Sequence, residues 1–203
     1  MIPLWTIPAI AYLLGSIPFG LLIVKLSGGG DVRQAGSGNI GAANVTRVAG
    51  PVSGILTLLL DAGKGYLAVW LARRLSGGNI RWITVAAVAV VLGHMFSVWL
   101  RFRGGKGVAT GLGAYLLISG MAVAAAAVVW IVVVVFWRYV SLASIAAAAA
   151  LPFLVYELYA PHFAPPTVLS LATVLVSVLI VWKHRDNLQR LIAGTENQLK
   201  LKR

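Results

Sequence analysis

Apolar runs of about twenty residues, the length that crosses roughly 30 Å of hydrocarbon, recur along nearly the whole chain and leave no room for a separate soluble domain. The expected architecture is an all-α integral membrane protein, a single bundle over residues 1–203. Composition agrees: 60% of the residues are hydrophobic and only 11% are charged, with a mean hydropathy of +0.90. The first cation is Lys25, whereas a secretory signal opens on a charged region, so the stretch from Ile2 to Val24 is expected to remain as a span. The absence of cysteine excludes disulfides, thiolate metal sites and thiol nucleophiles. The net charge of +12 sits in short connections and at the C-terminus. That pattern points to anionic lipid head groups and an anionic substrate rather than nucleic acid.

Breaks between the runs place helices at 3–25, 53–72, 80–100, 108–118, 121–137, 141–158 and 167–183. One helix from Val108 to Trp137 would be about 45 Å long, too long without strong tilt, and Ile118-Ser-Gly-Met121 offers a break. Seven spans put the N-terminus outside and the C-terminus in the cytoplasm. The inner connections then carry Lys25, Arg33, Arg47, Arg101, Arg103, Lys106, Arg138, Lys183, Arg185, Arg190, Lys200, Lys202 and Arg203, against Arg73, Arg74 and Arg81 outside. A six-span chain would move Arg138 and the basic tail to the opposite face, which the cation bias disfavours. The same count gathers four unusual segments on the inner face: 27–50, 101–107, 138–144 and the tail from His184.

Within the first of these, Gly36-Ser-Gly-Asn-Ile-Gly41 spells G-x-G-x-x-G, with Asp61 twenty residues on. As a dinucleotide fingerprint it requires a preceding strand and a following helix in a βαβ unit, which a membrane bundle does not supply. Phosphate is the better ligand class. Glycines let N–H groups turn toward an anion, Ser37, Asn39 and Asn44 can donate hydrogen bonds, and Arg47 offers a two-pronged guanidinium; the bland alternative is a flexible polar loop. The run Gly104-Gly105-Lys106-Gly107 opens the helix from Val108, placing backbone donors and a cation at a helix N-terminus. Gly107 stands where a Walker loop needs Ser or Thr, and Asp61-Ala-Gly-Lys64-Gly65 fails in the same way.

His94 lies in an apolar run and reads equally as a structural or a chemical residue, whereas His162, among prolines on the outer side, reads as a loop residue. His184 ends the last span with Asn187 three residues on, so both can face one site if the helix continues. No histidine pair has metal-ligand spacing, and no metal or other cofactor is expected. Asp61 and Lys64, three apart inside a span, can pair on one helical face; a functional site and a structural ion pair are both open. Gly50-x-x-x-Gly54 and Gly107-x-x-x-Gly111 suit close helix packing.

Three segments together, GSGNIGAANVTR, GHMFSVWLRFRGGKGVAT and HRDNLQRLIAGTE, resemble in order and spacing the three motifs of the bacterial acylphosphate-dependent glycerol-3-phosphate acyltransferases, the PlsY family. The resemblance implies a multi-pass enzyme of the bacterial cytoplasmic (inner) membrane with its active site facing the cytoplasm. It implies transfer of a fatty acyl group from acyl phosphate to the 1-hydroxyl of sn-glycerol 3-phosphate, the first step of phospholipid synthesis, giving lysophosphatidic acid and phosphate. Beyond the bilayer and the substrates, it suggests transient contact with a soluble acyl-phosphate synthase.

Carried over residue by residue, Ser37, Asn39, Asn44 and Arg47 fall in the first motif, Gly104, Gly105, Lys106 and Gly107 in the second, and His184, Asn187 and Glu196 in the third; Ser141 and Ser144 resemble site-lining positions. The resemblance implies catalytic roles for Ser37, Lys106, His184 and Asn187, phosphate binding by the first two motifs with Ser141 and Ser144, and support from Glu196; Asp61, Lys64 and His94, singled out by the residues themselves, are candidate supporting residues. Ser97 stands where the pattern has proline and Arg101 where it has glycine. The H-x-x-x-x-D pair of other glycerolipid acyltransferases is absent, since Gln189, Trp99 and Thr167 stand five residues beyond the three histidines. Acyl phosphate has a good leaving group, so positioning and charge stabilisation can suffice without an acyl-enzyme, and the resemblance has the substrate's own phosphate take the hydroxyl proton. The alternative from another class is a transporter of a phosphorylated organic anion. That function calls for midplane polar residues on interrupted helices in related halves, and no internal repeat is evident.

Overall fold

The computed structural model describes residues 3–160 and 163–199. Among them the regular structure is helical, apart from one isolated bridge between Ala160 and Phe163. The chain forms two compact units, Met1–Leu117 and Ile118–Arg203.

The first unit holds α1 (Ile7–Ser16), α2 (Phe19–Leu26), α3 (Ala42–Leu75), α4 (Ile80–Met95) and nearly all of α5 (Val108–Ile118). The helix expected over 3–25 is in fact two. Pro18 has no N–H to donate and disfavours a helical Ile17, whose backbone is extended at φ −60° and ψ 117°. The third helix begins at Ala42 rather than near 53 and contains a kink at Gly50, with φ 85° and ψ 170°, immediately before Pro51. Helices meet where side chains are smallest: a Cβ on Gly15 would strike the Val90 backbone, one on Gly93 that of Tyr12, and one on Gly113 that of Ala62. Leu21, Val24, Val32, Ile40, Val45 and Leu100 form an apolar core beneath the loops.

The second unit holds α6 (Gly120–Trp137), α7 (Val140–Leu158), α8 (Thr167–Lys183) and α9 (Arg185–Ile192). The expected break between the fourth and fifth runs falls at Ser119, where φ −151° and ψ 85° leave the helical region. Val128, Ile131, Val135 and Phe136 of α6 are exposed, as an apolar helix in lipid can be. The Trp130 indole donates to Ser144 Oγ across α6 and α7 at 3.2 Å.

Five helical stretches are long and apolar enough to cross a membrane, and six if α8 and α9, bent by 53°, count together. The eleven residues of α5 reach only about 16 Å. His162, Lys200, Lys202 and Arg203 lie outside the described residues.

Candidate active site

The first motif is a braced loop running into a helix. Gly36 and Gly38 take positive φ of 61° and 69°, and α3 begins at Ala42. No strand feeds the loop; a 3-10 turn over Val32–Gln34 precedes it, so the dinucleotide reading lacks its strand. Asn44, expected to face phosphate, is buried. Its Oδ1 accepts the Ser37 N–H at 2.7 Å, and its Nδ2 lies 2.9 to 3.0 Å from the carbonyl oxygens of Val32, Ala35 and Asn39. Gly38 N–H donates to Ala35 O at 3.1 Å and Gly41 N–H to Asn39 Oδ1 at 2.9 Å. Many of the N–H groups expected to cradle an anion therefore hold the loop instead.

What the loop presents are exposed side chains: Ser37 on the loop and Arg47 on the first turns of α3. Arg33 is held by Asp31, whose carboxyl sits at about 2 because the Arg33 side chain and backbone N–H both donate to it. Arg47 has no ion-pair partner among the described residues.

The second motif folds back on the end of α4. Gly104 N–H donates to Met95 O at 3.1 Å and Gly105 N–H to His94 O at 2.9 Å. These two amides, also expected to face an anion, close the turn and set half-buried Lys106 just before α5. The first-turn N–H groups of α5 are those a helix leaves without internal partners. A side chain on Gly105 would strike the His94 ring, and Gly107 has φ 86°, so both glycines are required by shape. The two departures from the family pattern find local accounts. Ser97 has a proline-like φ of −60°, and its hydroxyl donates to Ser16 O at 2.6 Å. Arg101 is left-handed at φ 50° and ψ 45°, a conformation glycine adopts more easily.

Asp61, Lys64 and His94 are buried together. Lys64 Nζ lies 2.8 Å from Asp61 Oδ1, so the pairing expected from their spacing forms. It also donates to Ile17 O at 2.8 Å and meets His94 Nδ1 at 3.0 Å. Among the described residues no three His, Asp or Glu gather as metal ligands would.

In the second unit Glu196 is the hub. Its Oε1 accepts from Ser141 Oγ at 2.8 Å and Asn187 Nδ2 at 2.7 Å, and its Oε2 pairs with Arg190 Nε at 2.7 Å. Burial raises this carboxyl, but the donors from Asn187, Ser141 and Arg190 outweigh it and hold it below the usual carboxylate range. Leu199 N–H to Arg138 O at 2.7 Å fastens the tail further. His184, buried, donates Nδ1–H to Ile180 O at 2.8 Å, the arrangement that leaves Nε2 as the acceptor nitrogen. Ser144, expected to line the site, donates to Val140 O at 2.8 Å and receives Trp130. A polar cavity of about 690 Å³ opens beside Arg138, Tyr139 and Glu196, and an apolar one of about 460 Å³ lies between α7 and α8 at Pro152, Val174, Ser177 and Val181. Sequence reasoning missed Arg190, whose placement six residues before Glu196 was the available signal.

Residues 5–194 match the family model described as glycerol-3-phosphate acyltransferase. The glycerol-3-phosphate acyltransferase of Geotalea daltonii is 49% identical, with 94% of each chain covered, and that of Trichlorobacter lovleyi is 50% identical, also with 94% of each covered. A crystal structure of PlsY, an integral membrane glycerol 3-phosphate acyltransferase in its glycerol 3-phosphate form, matches with TM-score 0.89 at 38% identity, covering 97% of this chain and 96% of that one. Its lysophosphatidic acid form matches with TM-score 0.87 at 37% identity, covering 97% and 95%. The chain belongs to the glycerol-3-phosphate acyltransferase family of integral membrane proteins.

Proposed function

We propose that this protein transfers a fatty acyl group from acyl phosphate to the 1-hydroxyl of sn-glycerol 3-phosphate. The hydroxyl oxygen attacks the acyl carbonyl, the bond from that carbon to the phosphate oxygen breaks, and the hydroxyl proton leaves with the departing phosphate. The products are lysophosphatidic acid and inorganic phosphate. One observation carries the reading: the similar structure is known in a glycerol 3-phosphate form and a lysophosphatidic acid form, which are acceptor and product of one acyl transfer.

Arg47 and Lys106 hold phosphate groups, and Ser37 and Asn39 add hydrogen bonds. Asn44, Gly104 and Gly105 shape the loops that carry them, and Gly107 turns the chain into α5. His184 and Asn187 orient the reacting groups, while Glu196 fixes Asn187 and Ser141. Both reactants carry phosphate, so an exposed guanidinium and a lysine beside a helix N-terminus suit them; the apolar cavity suits an acyl chain. With an activated donor, orientation and charge stabilisation replace a covalent intermediate. The membrane arrangement proposed with it has seven spans, an outer N-terminus and a cytoplasmic site in the inner membrane of a bacterium, with α5 counted among the spans. Its support is the cation bias. Membership of the acyltransferase family weighs against the anion-transporter alternative.

The test is product identification. Purified protein given acyl phosphate and glycerol 3-phosphate should release lysophosphatidic acid and phosphate in equal amounts. Anion flux in proteoliposomes with no acylated product would overturn the reading.

A further inference from the structure

The buried charges of the first unit have no role in the acyl transfer as described, yet they touch both phosphate-binding motifs through short paths. Lys64 on α3 reaches Ile17 O, the carbonyl released by the break between α1 and α2, at 2.8 Å. It meets Asp61 Oδ1 at 2.8 Å, its ammonium lies 5.6 Å from the centre of the Phe19 ring, and it lies 3.0 Å from His94 Nδ1. A charged lysine ammonium has three donors and no acceptor, so against it His94 Nδ1 is the acceptor; the same nitrogen lies 3.6 Å from Asp61 Oδ1, which closes the cluster. The Nε2 edge of the ring lies against Gly105, where any Cβ would strike it, and the His94 carbonyl takes the Gly105 N–H at 2.9 Å. Lys106 is the next residue.

On the other side, α2 begins at Phe19. Gly20 lies so close to the Ile40 carbonyl that a side chain there would collide, and Leu21 and Val24 share an apolar core with Ile40, Val45 and Leu100. One ammonium thus ties down the start of the helix beneath the first motif and the ring beneath the second.

We infer that Asp61, Lys64 and His94 are positioning residues of the acyl transfer: Asp61 holds Lys64, Lys64 holds the His94 ring, and the ring sets the turn that presents Lys106. This inference rests on the role proposed for Lys106. A purely structural ion pair would support folding but would not couple to Lys106 in particular. The geometry favours coupling, because the chain from Asp61 Oδ1 to the Gly105 backbone consists of direct contacts.

A double-mutant cycle tests it on full-length protein purified in detergent, with folding checked by thermal melting. His94→Asn keeps an acceptor near Lys64 but leaves nothing beneath Gly105, whereas His94→Gln places an amide near Gly105 but removes the acceptor next to Lys64. Removing one charge leaves its partner buried alone, so the charge-neutral pair Asp61→Asn with Lys64→Gln is the third variant. Each folded variant should lower kcat/KM by about tenfold, in the same kinetic parameter that Lys106→Ala changes. In the Lys106→Ala background each should cost less than about twofold, because the group being positioned is gone. If Lys106→Ala is severe and the His94 variants multiply with it at full strength, the inference is overturned while the phosphate role stands. If Lys106→Ala leaves kinetics unchanged, both fall. Folded His94 variants with the activity of the native protein also overturn the inference.

Discussion

The residues that matter most for chemistry divide by what their side chains already do. Asn44, Ser144 and the Gly104 and Gly105 amides are engaged inside the protein, whereas Arg47 is exposed and has no ion-pair partner among the described residues. Arg47→Ala should therefore leave the fold intact and remove a charge-assisted contact of about 1.5 to 3 kcal/mol, a ten- to hundredfold loss in kcat/KM. Arg47→Lys should recover only part, since an ammonium does not reproduce the guanidinium fork. Asn44→Ala should do the opposite in kind, lowering thermal stability because the loop loses its centre. Steady-state kinetics and thermal melting, measured on the same preparations, separate the two. The family-pattern departures predict a further contrast: Arg101→Gly should raise stability by up to about 1 kcal/mol by relieving a left-handed residue. Ser97→Ala should lower it by about 1 to 3 kcal/mol by leaving the buried Ser16 carbonyl unpaired. The Asp61–Lys64 pair was legible in the sequence because i,i+3 spacing is a local property. His94 as their third member was not, because only the packing of α4 against α3 brings it there.

At the scale of elements, two devices set the loops in place and each makes its own prediction. Gly50 adopts φ 85°, and a Cβ added there would have nothing within 4 Å, so the need for glycine is conformational rather than steric. Gly50→Ala should cost about 1 to 3 kcal/mol on melting even though the added methyl meets no neighbour. In the tail, Glu196 clamps α7 and α9, and its carboxyl is held below its ordinary value of 4.5. A lowered carboxylate stabilises fully above that value and loses its contribution as pH falls below it. Glu196→Gln should thus melt earlier than the native protein at neutral pH, with the gap closing as the pH drops below 4.5. Some ends of the apolar runs were readable, as the Ser119 break and the Thr167–Lys183 helix attest. The break at Pro18, the early start of α3 and the end of α4 at Met95 rather than near 100 were not. Averaged hydropathy passes over one proline, and a Gly/Ser/Asn-rich stretch looks like a loop even where its second half is helical.

For the whole molecule, membership of the family follows from full-length similarity, while the reaction's donor and the arrangement in the membrane are separate proposals. Because the sequence contains no cysteine, single cysteines at the exposed positions Ser37, Arg103 and Asp186 can report sidedness directly. All three should react with an impermeant thiol reagent from the cytoplasmic side, and labelling of Asp186→Cys from the opposite side would restore six spans. The most direct measurement of the central claim is the initial rate of glycerol 3-phosphate acylation by purified protein with acyl phosphate, and with acyl-CoA, as the sole donor. The account predicts rapid formation of lysophosphatidic acid with acyl phosphate and none above background with acyl-CoA. Efficient turnover with acyl-CoA alone would contradict it.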